Sequence, residues 1–203
     1  MLLDKTVAQF IEDLATDFPT PSGGSVCACA GAMAAGVLRM VGRVILSQRS
    51  SPGPDDELVA ALAELERLQR RLTALIDLDN DSFHMIVNFR GKEDAGSAAD
   101  NAARKQAAET PREVAFLCLR LLECAEAITR NGDPALDSDA VVAVELALAC
   151  LRGAIASSRI NISMPGDGSY GSDLLVRLEH WGGSGCLTAE RVRLTVRERS
   201  GLC

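Results

Sequence analysis

Apolar residues recur along most of the chain at the three- and four-residue spacing of amphipathic α-helices. This spacing predicts a first helix over about Lys5–Leu14, a second over about Ser25–Leu46 and a long third over about Asp55–Phe89. The second helix carries small residues every four positions, Ala28 and Ala32 among them, which allow helix axes to approach closely. We therefore expect it at the centre of a helical bundle.

The second half of the chain continues this pattern. It predicts a fourth helix that ends near Thr129, with a bend near Pro111, and a fifth over about Pro134–Ser157. The fifth helix is apolar nearly all round, which indicates burial on several sides. We predict an all-α protein, an up-and-down bundle of long helices that forms one domain over residues 1–203. Two glycine-rich loops and a last helix complete the chain, over about Pro165–Gly171, Trp181–Gly185 and Thr188–Arg199.

Composition fits this architecture and limits the classes of partner that the protein can have. Aromatic residues make up only 3% of the chain, so Leu, Ala and Val must fill the core, which suits close-packed helices. The net charge of −7 argues against a nucleic-acid partner, because phosphate binding requires clustered Lys and Arg. The longest uncharged run, Phe18–Leu38, is rich in Gly, Ala, Ser and Cys and is typical of a packed helix, not a membrane span.

The cysteines and the N-terminus indicate a cytoplasmic protein without a metal site. The seven cysteines contain no Cys-x-x-Cys pair, and Cys27 and Cys29 would point about 160° apart on a helix. Most lie in apolar stretches, as small core residues do in a reducing compartment. The first residues, Met-Leu-Leu-Asp-Lys-Thr, lack the basic and apolar regions of a secretion signal.

The most informative residue is an acid within the third helix. At about 100° per residue, Asp77 and Asp81 fall opposite the apolar stripe, whereas Asp79 falls at its centre. A carboxylate there must be paired, hydrogen-bonded or protonated, because a bare buried charge costs several kcal/mol. Such surroundings suit a general acid/base. Two structural alternatives are an ion pair with an Arg of a neighbouring helix, and an early helix end that leaves Asp79 in water.

Three further features place polar groups next to helix ends. The turn Ser22–Ser25 contains Gly23 and Gly24 and offers free backbone N–H groups to an anion, although an ordinary serine-capped helix has the same pattern. Asp139 complements the positive end of the fifth helix and shares a face with inward-looking residues. Asn161 follows the predicted end of that helix, where Asn is a common C-terminal cap.

Five motifs follow one another in order along about residues 4–162. They read Pro-Ser-Gly-Gly-Ser with a small-residue helix ending in Met-Val, then Asp-x-Asp-x-x-x-Phe, Pro-x-x-Val-Ala, Gly-Asp…Ser-Asp and Ser-Ser-x-Ile-Asn. In this order they resemble the family of formiminotetrahydrofolate cyclodeaminases and methenyltetrahydrofolate cyclohydrolases. Residues 163–203 form a divergent tail. The matching positions here are Pro21–Ser25 with Met40-Val41, Asp77–Phe83, Pro111–Ala115, Gly132–Asp139 and Ser157–Asn161.

The resemblance implies a dimeric folate enzyme with its active site in a groove between two subunits. The substrate would be a tetrahydrofolate derivative, with no separate cofactor. The favoured reaction is the cyclodeaminase one, in which ammonia leaves and 5,10-methenyltetrahydrofolate forms; the alternative is hydrolysis of the methenyl bridge. The resemblance makes Asp79 the catalytic carboxylate. It assigns substrate binding to Gly23, Gly24, Ser25, Asp139, Ser157 and Asn161.

The sequence departs from the family pattern in three places, at Ser22, at Ser157 and over Asn88–Lys92. A second hypothesis is therefore a diverged helical dimer that binds a folate or another protein without catalysis. His84 lies off the apolar stripe of the third helix, so we expect it in solvent and not in the chemistry.

Overall fold

The computed structural model describes residues 1–18, 20–49, 56–89, 98–162 and 168–200, and of residues 82–89, 98–106 and 168–170 it describes the backbone alone. Within these ranges the chain forms six α-helices and two short 3-10 turns, and no strand. The all-α prediction is confirmed. The helices are α1 (Val7–Leu14), α2 (Gly23–Ser47), α3 (Glu57–Phe89), α4 (Ala98–Arg130), α5 (Asp137–Ile162) and α6 (Gly168–Ser200).

Helices α2 to α5 form the central bundle and alternate in direction. Gly31 of α2 lies against Leu72 of α3 and Cys118 of α4, whereas Gly42, further along α2, lies against Leu62 and Ile128. Residue numbers in α3 therefore decrease as those in α2 increase, so α3 runs antiparallel to α2. Residue numbers in α4 increase with those in α2, so α4 runs parallel to it. Helix α2 contacts α3 and α5, α4 contacts the same two helices, and α6 lies over α4 and α5.

The predicted apolar stripe of α3 is a core element. Leu58, Leu65 and Leu72 have no exposed surface, and each such side chain stabilises the fold by about 1.5–3 kcal/mol. Small residues of α2 face it: a Cβ at Gly42 would lie 2.7 Å from Ile128 Cδ1, so any side chain there would force the neighbouring Ile128 to shift. Close approach of the axes lets these leucines fill the space between three helices. The side chains of Phe83 and Ile86, also predicted for the stripe, lie outside the described residues.

The loop predicted over Trp181–Gly185 is wrong, because α6 is one helix from Gly168 to Ser200. Its glycines allow close contact with α5: a Cβ at Gly185 would lie 2.2 Å from Leu151 Cδ2, and one at Gly171 would lie 2.9 Å from Ile162 Cγ2. A helical glycine costs about 1 kcal/mol relative to alanine. The tertiary contact outweighs that cost. The earlier predicted loop is helical from Gly168 onward, and its first residues lie outside the described ranges.

Asp77 was predicted to face solvent, and the structure buries it. The start of the chain folds over this side of α3, and the backbone N–H of Leu2 donates to Asp77 Oδ1 at 2.6 Å. Asp77 Oδ2 has no hydrogen-bond partner among the residues that the structure describes. Asp81 is exposed, as predicted. A helical wheel fails at Asp77 because it holds no information about a segment 75 positions away.

Helices α2 and α5 carry apolar residues on their outer faces as well as in the core. By length and composition alone, Gly23–Ser47 and Pro134–Ile162 could each cross a membrane, and 39% and 50% of their apolar windows are buried within the chain. Burial of α5 on several sides is confirmed against α2, α4 and α6. One face stays open. Exposed apolar residues on the two helices include Met33, Met40, Val142 and Ile160.

The turn between α4 and α5 is tied to the end of α6. Asp133 caps the 3-10 turn that leads into α5 by accepting from Ala135 N at 2.9 Å. Arg199 of α6 donates through Nε to the buried Asp137 Oδ2 at 3.2 Å, and through Nη1 to the Thr129 carbonyl at 2.7 Å. Its Nη2 also contacts Asp137 Oδ1. An ion pair therefore closes this end of the bundle.

Candidate active site

The candidate site lies where α2 begins, beside the second half of α3. Ser22 is the N-cap of α2, and its Oγ accepts a hydrogen bond from Gly24 N at 3.2 Å. The same hydroxyl donates to Asp79 Oδ2 at 2.7 Å. The Ser25 hydroxyl donates to Asp79 Oδ2 as well, at 2.9 Å. Two neutral hydroxyl groups thus hold one oxygen of the carboxylate.

The glycine at position 24 allows the carboxylate to approach the backbone of α2. A Cβ there would lie 2.0 Å from Asp79 Oδ1 and 2.8 Å from Oδ2, so any side chain would displace the acid. The first turn of a helix carries unpaired N–H groups and a partial positive charge, which favours an anion at this place. Gly23 differs, since nothing lies within 4 Å of a Cβ built on it. The missing side chain of Gly24 therefore leaves the space that Asp79 occupies, whereas the space beside Gly23 is open.

Neither structural alternative for Asp79 is found among the residues that the structure describes. Its hydrogen-bond partners are hydroxyl groups, and no Lys or Arg among the described side chains forms an ion pair with it. Helix α3 continues to Phe89, so the alternative of an early helix end is wrong. Asp79 is half-buried, and its Oδ1 receives no hydrogen bond from the described residues. Among the described residues, the carboxylate is therefore oriented through its Oδ2 atom.

Cys27 extends the site toward α5, and sequence reasoning missed it by treating it as a core residue. A Cβ on Gly153 of α5 would lie 2.7 Å from Cys27 Sγ, so the two helices meet closely here. A hydrogen bond with the Cys150 thiol, burial and the negative charge of Asp79 raise the pKa of Cys27. Cys27 is therefore a neutral thiol near the carboxylate. The place of Cys27 beside the site follows from the packing of α2 against α5, which sequence periodicity does not predict.

Asn161 joins α5 to α4 at the same end of the bundle. It lies within α5, which ends at Ile162, so the predicted helix end at Ser157 is corrected. Its Nδ2 donates to the Ala107 carbonyl at 2.9 Å. That carbonyl would normally accept from residue 111, but Pro111 has no N–H. Asn161 therefore supplies the donor that the proline removes, and the C-cap alternative is replaced by an interhelical bond.

Ser157 and Asp139 occupy different ends of α5. Ser157 lies one turn beyond Gly153, on the face that meets Cys27, and is half-buried. Asp139 lies eighteen residues earlier, about 27 Å along the helix. A single chain therefore brings Asp79, Gly23, Gly24, Ser25, Ser157 and Asn161 to one end and leaves Asp139 at the other. The His84 side chain and the segment Asn88–Lys92 lie largely outside the described residues.

Comparisons with known proteins show what the chain is similar to. Residues 6–180 match the sequence model of the family described as Formiminotransferase-cyclodeaminase. A methenyltetrahydrofolate cyclohydrolase of Methylorubrum extorquens is 29% identical over 203 residues, which cover 97% of this chain and 98% of the relative. Formimidoyltransferase-cyclodeaminases of Rattus norvegicus and Mus musculus are 24% identical over 168 residues. The match covers 79% of this chain but only 31% of either relative.

The fold also has a solved counterpart. The structure of a formiminotetrahydrofolate cyclodeaminase from Thermotoga maritima superimposes with a TM-score of 0.85 at 23% sequence identity. The match covers 98% of both chains, so α6 and the tail belong to the shared fold.

Proposed function

Since the chain belongs to the formiminotransferase-cyclodeaminase family, we propose that it is a folate one-carbon enzyme with Asp79 as its catalytic carboxylate. The observation that supports this most is the arrangement around Asp79. Ser22 and Ser25 hold Oδ2, Gly24 admits the carboxylate to the start of α2, and no described cation neutralises it. A carboxylate oriented in this way can accept and return a proton within one catalytic cycle.

In the cyclodeaminase reaction, a folate nitrogen attacks the formimino carbon of a formiminotetrahydrofolate. Asp79 Oδ1 would take the proton of the attacking nitrogen and deliver it to the departing amine, so that ammonia leaves and the 5,10-methenyl bridge forms. Ser22 and Ser25 keep the acid in place during both transfers. Proton transfer by a positioned group of this kind contributes typically about 10²–10⁴-fold to a rate.

The cyclohydrolase reaction is the second candidate, and a specific observation favours it. The Methylorubrum extorquens relative matches this chain end to end, whereas the mammalian cyclodeaminases are about three times longer than the matched region. In this reaction Asp79 would take a proton from water as the water oxygen adds to the methenyl carbon. The ring then opens to a formyl group. Both reactions require the same proton acceptor beside the same carbon.

One assay separates the two reactions. Purified protein is incubated either with a formiminotetrahydrofolate or with methenyltetrahydrofolate. The absorbance of the methenyl compound and the release of ammonia are followed together. Rising absorbance with ammonia release identifies the cyclodeaminase, and falling absorbance identifies the cyclohydrolase. Asp79→Asn should abolish turnover, whereas Asp81→Asn, an exposed acid on the same helix, should retain it. Thermal stabilisation by tetrahydrofolate without turnover of either substrate would favour the diverged binding protein.

We propose that the active form is a homodimer paired through the outer faces of α2 and α5. Exposed Met33 and Val142 leave apolar surface there, and a stable interface needs about 1,000 Å² or more. A two-fold pairing with antiparallel helices would set the Asp139 end of one copy beside the Asp79 end of the other. This would reunite the candidate residues that one chain keeps about 27 Å apart.

The oligomeric state tests this pairing. Light scattering should give a mass near twice 21.5 kDa, and Met33→Asp with Val142→Asp should give monomers without turnover. A fully active monomer would contradict the pairing. A cytoplasmic location and independence from metals and cofactors stay predictions of the sequence. The second is checked by running the assay on protein treated with a chelator, without added nucleotide.

A further inference from the structure

Helix α1 is the least covered element of the described chain. Thr6 and Gln9 form a capping box at its start, and none of its residues is buried. Phe10 of its apolar stripe packs against the core of the same chain, whereas Val7 is 63%, Ile11 59% and the following Phe18 74% exposed. An eight-residue helix is too short to be stable alone in water. The exposed part of the stripe therefore requires a surface that the described residues of the single chain do not provide.

The charges that flank this stripe limit what that surface can be. Residues 1–18 contain four acids, Asp4, Glu12, Asp13 and Asp17, and one base, Lys5, which pairs with Asp13. Helices that lie on anionic membranes carry Lys and Arg on their polar faces, so lipid is disfavoured here. The complementary surface is apolar and carries positive charge.

A groove of this kind lies between α5 and α6, with a cavity of about 520 Å³. Ile155 and Leu178 contribute to its apolar lining, and Arg152 and Arg159 line it against a single acid, Glu179. Arg152 Nη2 donates to Cys186 Sγ at 3.2 Å, and no carboxylate among the described side chains pairs with it. The groove therefore combines apolar surface with net positive charge.

Two glycines keep this groove open. A Cβ at Gly183 would meet nothing within 4 Å, and one at Gly182 would be at an ordinary 3.4 Å from Ile155 Cδ1. Close approach of α5 requires Gly185 but neither of these, although each helical glycine costs about 1 kcal/mol relative to alanine. A segment that enters the groove would account for both positions.

We propose that α1 of one subunit docks into the α5/α6 groove of a second copy. The two surfaces match in length, since Val7 to Leu14 spans about 10.5 Å and Arg152 to Ile160 about 12 Å. They also match in charge. In its own chain α1 lies on the other side of the bundle, where Phe10 borders a small cavity with Met33 and Ile76.

The placement follows from the dimer proposed above, on which this inference rests. The outer face of α2 and α5 has α1 on its α2 side and the groove on its α5 side. A two-fold axis through that face sets the α1 edge of each copy against the α5/α6 edge of the other. The exchange therefore occurs twice and closes the assembly.

Photo-crosslinking tests this directly. Replacing Ile11 by p-benzoylphenylalanine should yield crosslinks between two chains, in peptides 152–160 or 178–186 of the second. Mixing ¹⁵N-labelled with unlabelled protein distinguishes crosslinks between chains from those within one. The same reagent at Glu12, about 130° around α1 from the centre of the stripe, is the matched control and should give few. Crosslinks within one chain or elsewhere in an intact dimer would overturn the docking alone, and a monomer would overturn both proposals.

Charge reversal gives a second, independent readout. Arg152→Glu with Arg159→Glu should raise the dimer dissociation constant about tenfold, since like charges then face each other. Combining it with Asp17→Arg, an exposed acid beside Phe18, should restore part of the affinity. Arg197→Glu, an exposed arginine outside the groove, should leave the dissociation constant unchanged. An unchanged constant in the first variant would contradict the docking.

Discussion

The two ends of the helical bundle each hold an acid, and they hold it in opposite ways. At one end Arg199 pairs with the buried Asp137 and also donates to the Thr129 carbonyl. At the other end Asp79 has the hydroxyls of Ser22 and Ser25 as partners, and it stands at the start of α2. The first arrangement ties three helices together, whereas the second orients one carboxylate.

The difference teaches how an acid can serve stability or chemistry on one scaffold. An ion pair commits the carboxylate to a structural role, because its loss would leave the partly buried guanidinium without a partner. Hydroxyl donors orient a carboxylate without neutralising it, so it can take and release a proton. We therefore expect substitution of Asp137 to lower stability, and substitution of Asp79 to lower turnover.

The largest effect is expected at the ion pair. Asp137→Ala should lower the free energy of unfolding by about 3 kcal/mol, since it leaves the Arg199 side chain, 21% exposed, without its charge partner. Urea denaturation measures this, and turnover of the protein that remains folded should be unchanged. Glu123→Ala, which removes an exposed pair with Arg120, is the control and should cost less than about 1 kcal/mol. Equal costs for the two variants would remove the contrast between the ends.

The next effect tests the position of Asp79 by adding a single methyl group beside it. Gly24→Ala must displace the carboxylate, because the Cβ would lie 2.0 Å from Asp79 Oδ1. Misplacing a catalytic group by about 1 Å can cost about 100-fold in rate, and we expect a loss of that order in kcat. Gly23→Ala is the matched change, with nothing within 4 Å of its Cβ, and should act on KM alone. Wild-type kcat in Gly24→Ala would show that the position of Asp79 does not matter.

The smallest effect concerns the bond that joins α4 and α5 near the site. Asn161→Ala should lower the free energy of unfolding by about 1–2 kcal/mol, because the Ala107 carbonyl loses its donor. In a Pro111→Ala background the same change should cost less, since residue 111 then supplies an N–H. A double-mutant cycle in urea measures the coupling. Identical costs in both backgrounds would show that the proline does not create the need for Asn161.

Periodicity predicted the bundle, and it located Asp79 on the inner side of α3. Both follow from the sequence alone because core helices need continuous apolar stripes, and one acid in such a stripe is conspicuous. The loop predicted around Gly182 failed because Gly185 serves contact with Leu151. Asp77 failed because Leu2 covers it, and this contact depends on tertiary structure.

The site was predictable in part. The resemblance selected Asp79, Gly24 and Ser25, and the structure brings these three together. The donation from Asn161 to the Ala107 carbonyl needs the register between α4 and α5, which no local pattern contains. Asp139 belongs to the other end of one chain, so its role depends on how a second copy pairs.

The catalytic role of Asp79 is tested most directly by separating kcat from KM in Asp79→Asn, with its urea denaturation measured alongside. The amide keeps the shape of the side chain and can still accept from Ser22 and Ser25, so folding and KM should stay close to wild type. It cannot take a proton, so kcat should fall by about 100-fold or more. A variant that turns over the folate at the wild-type kcat would contradict this role for Asp79.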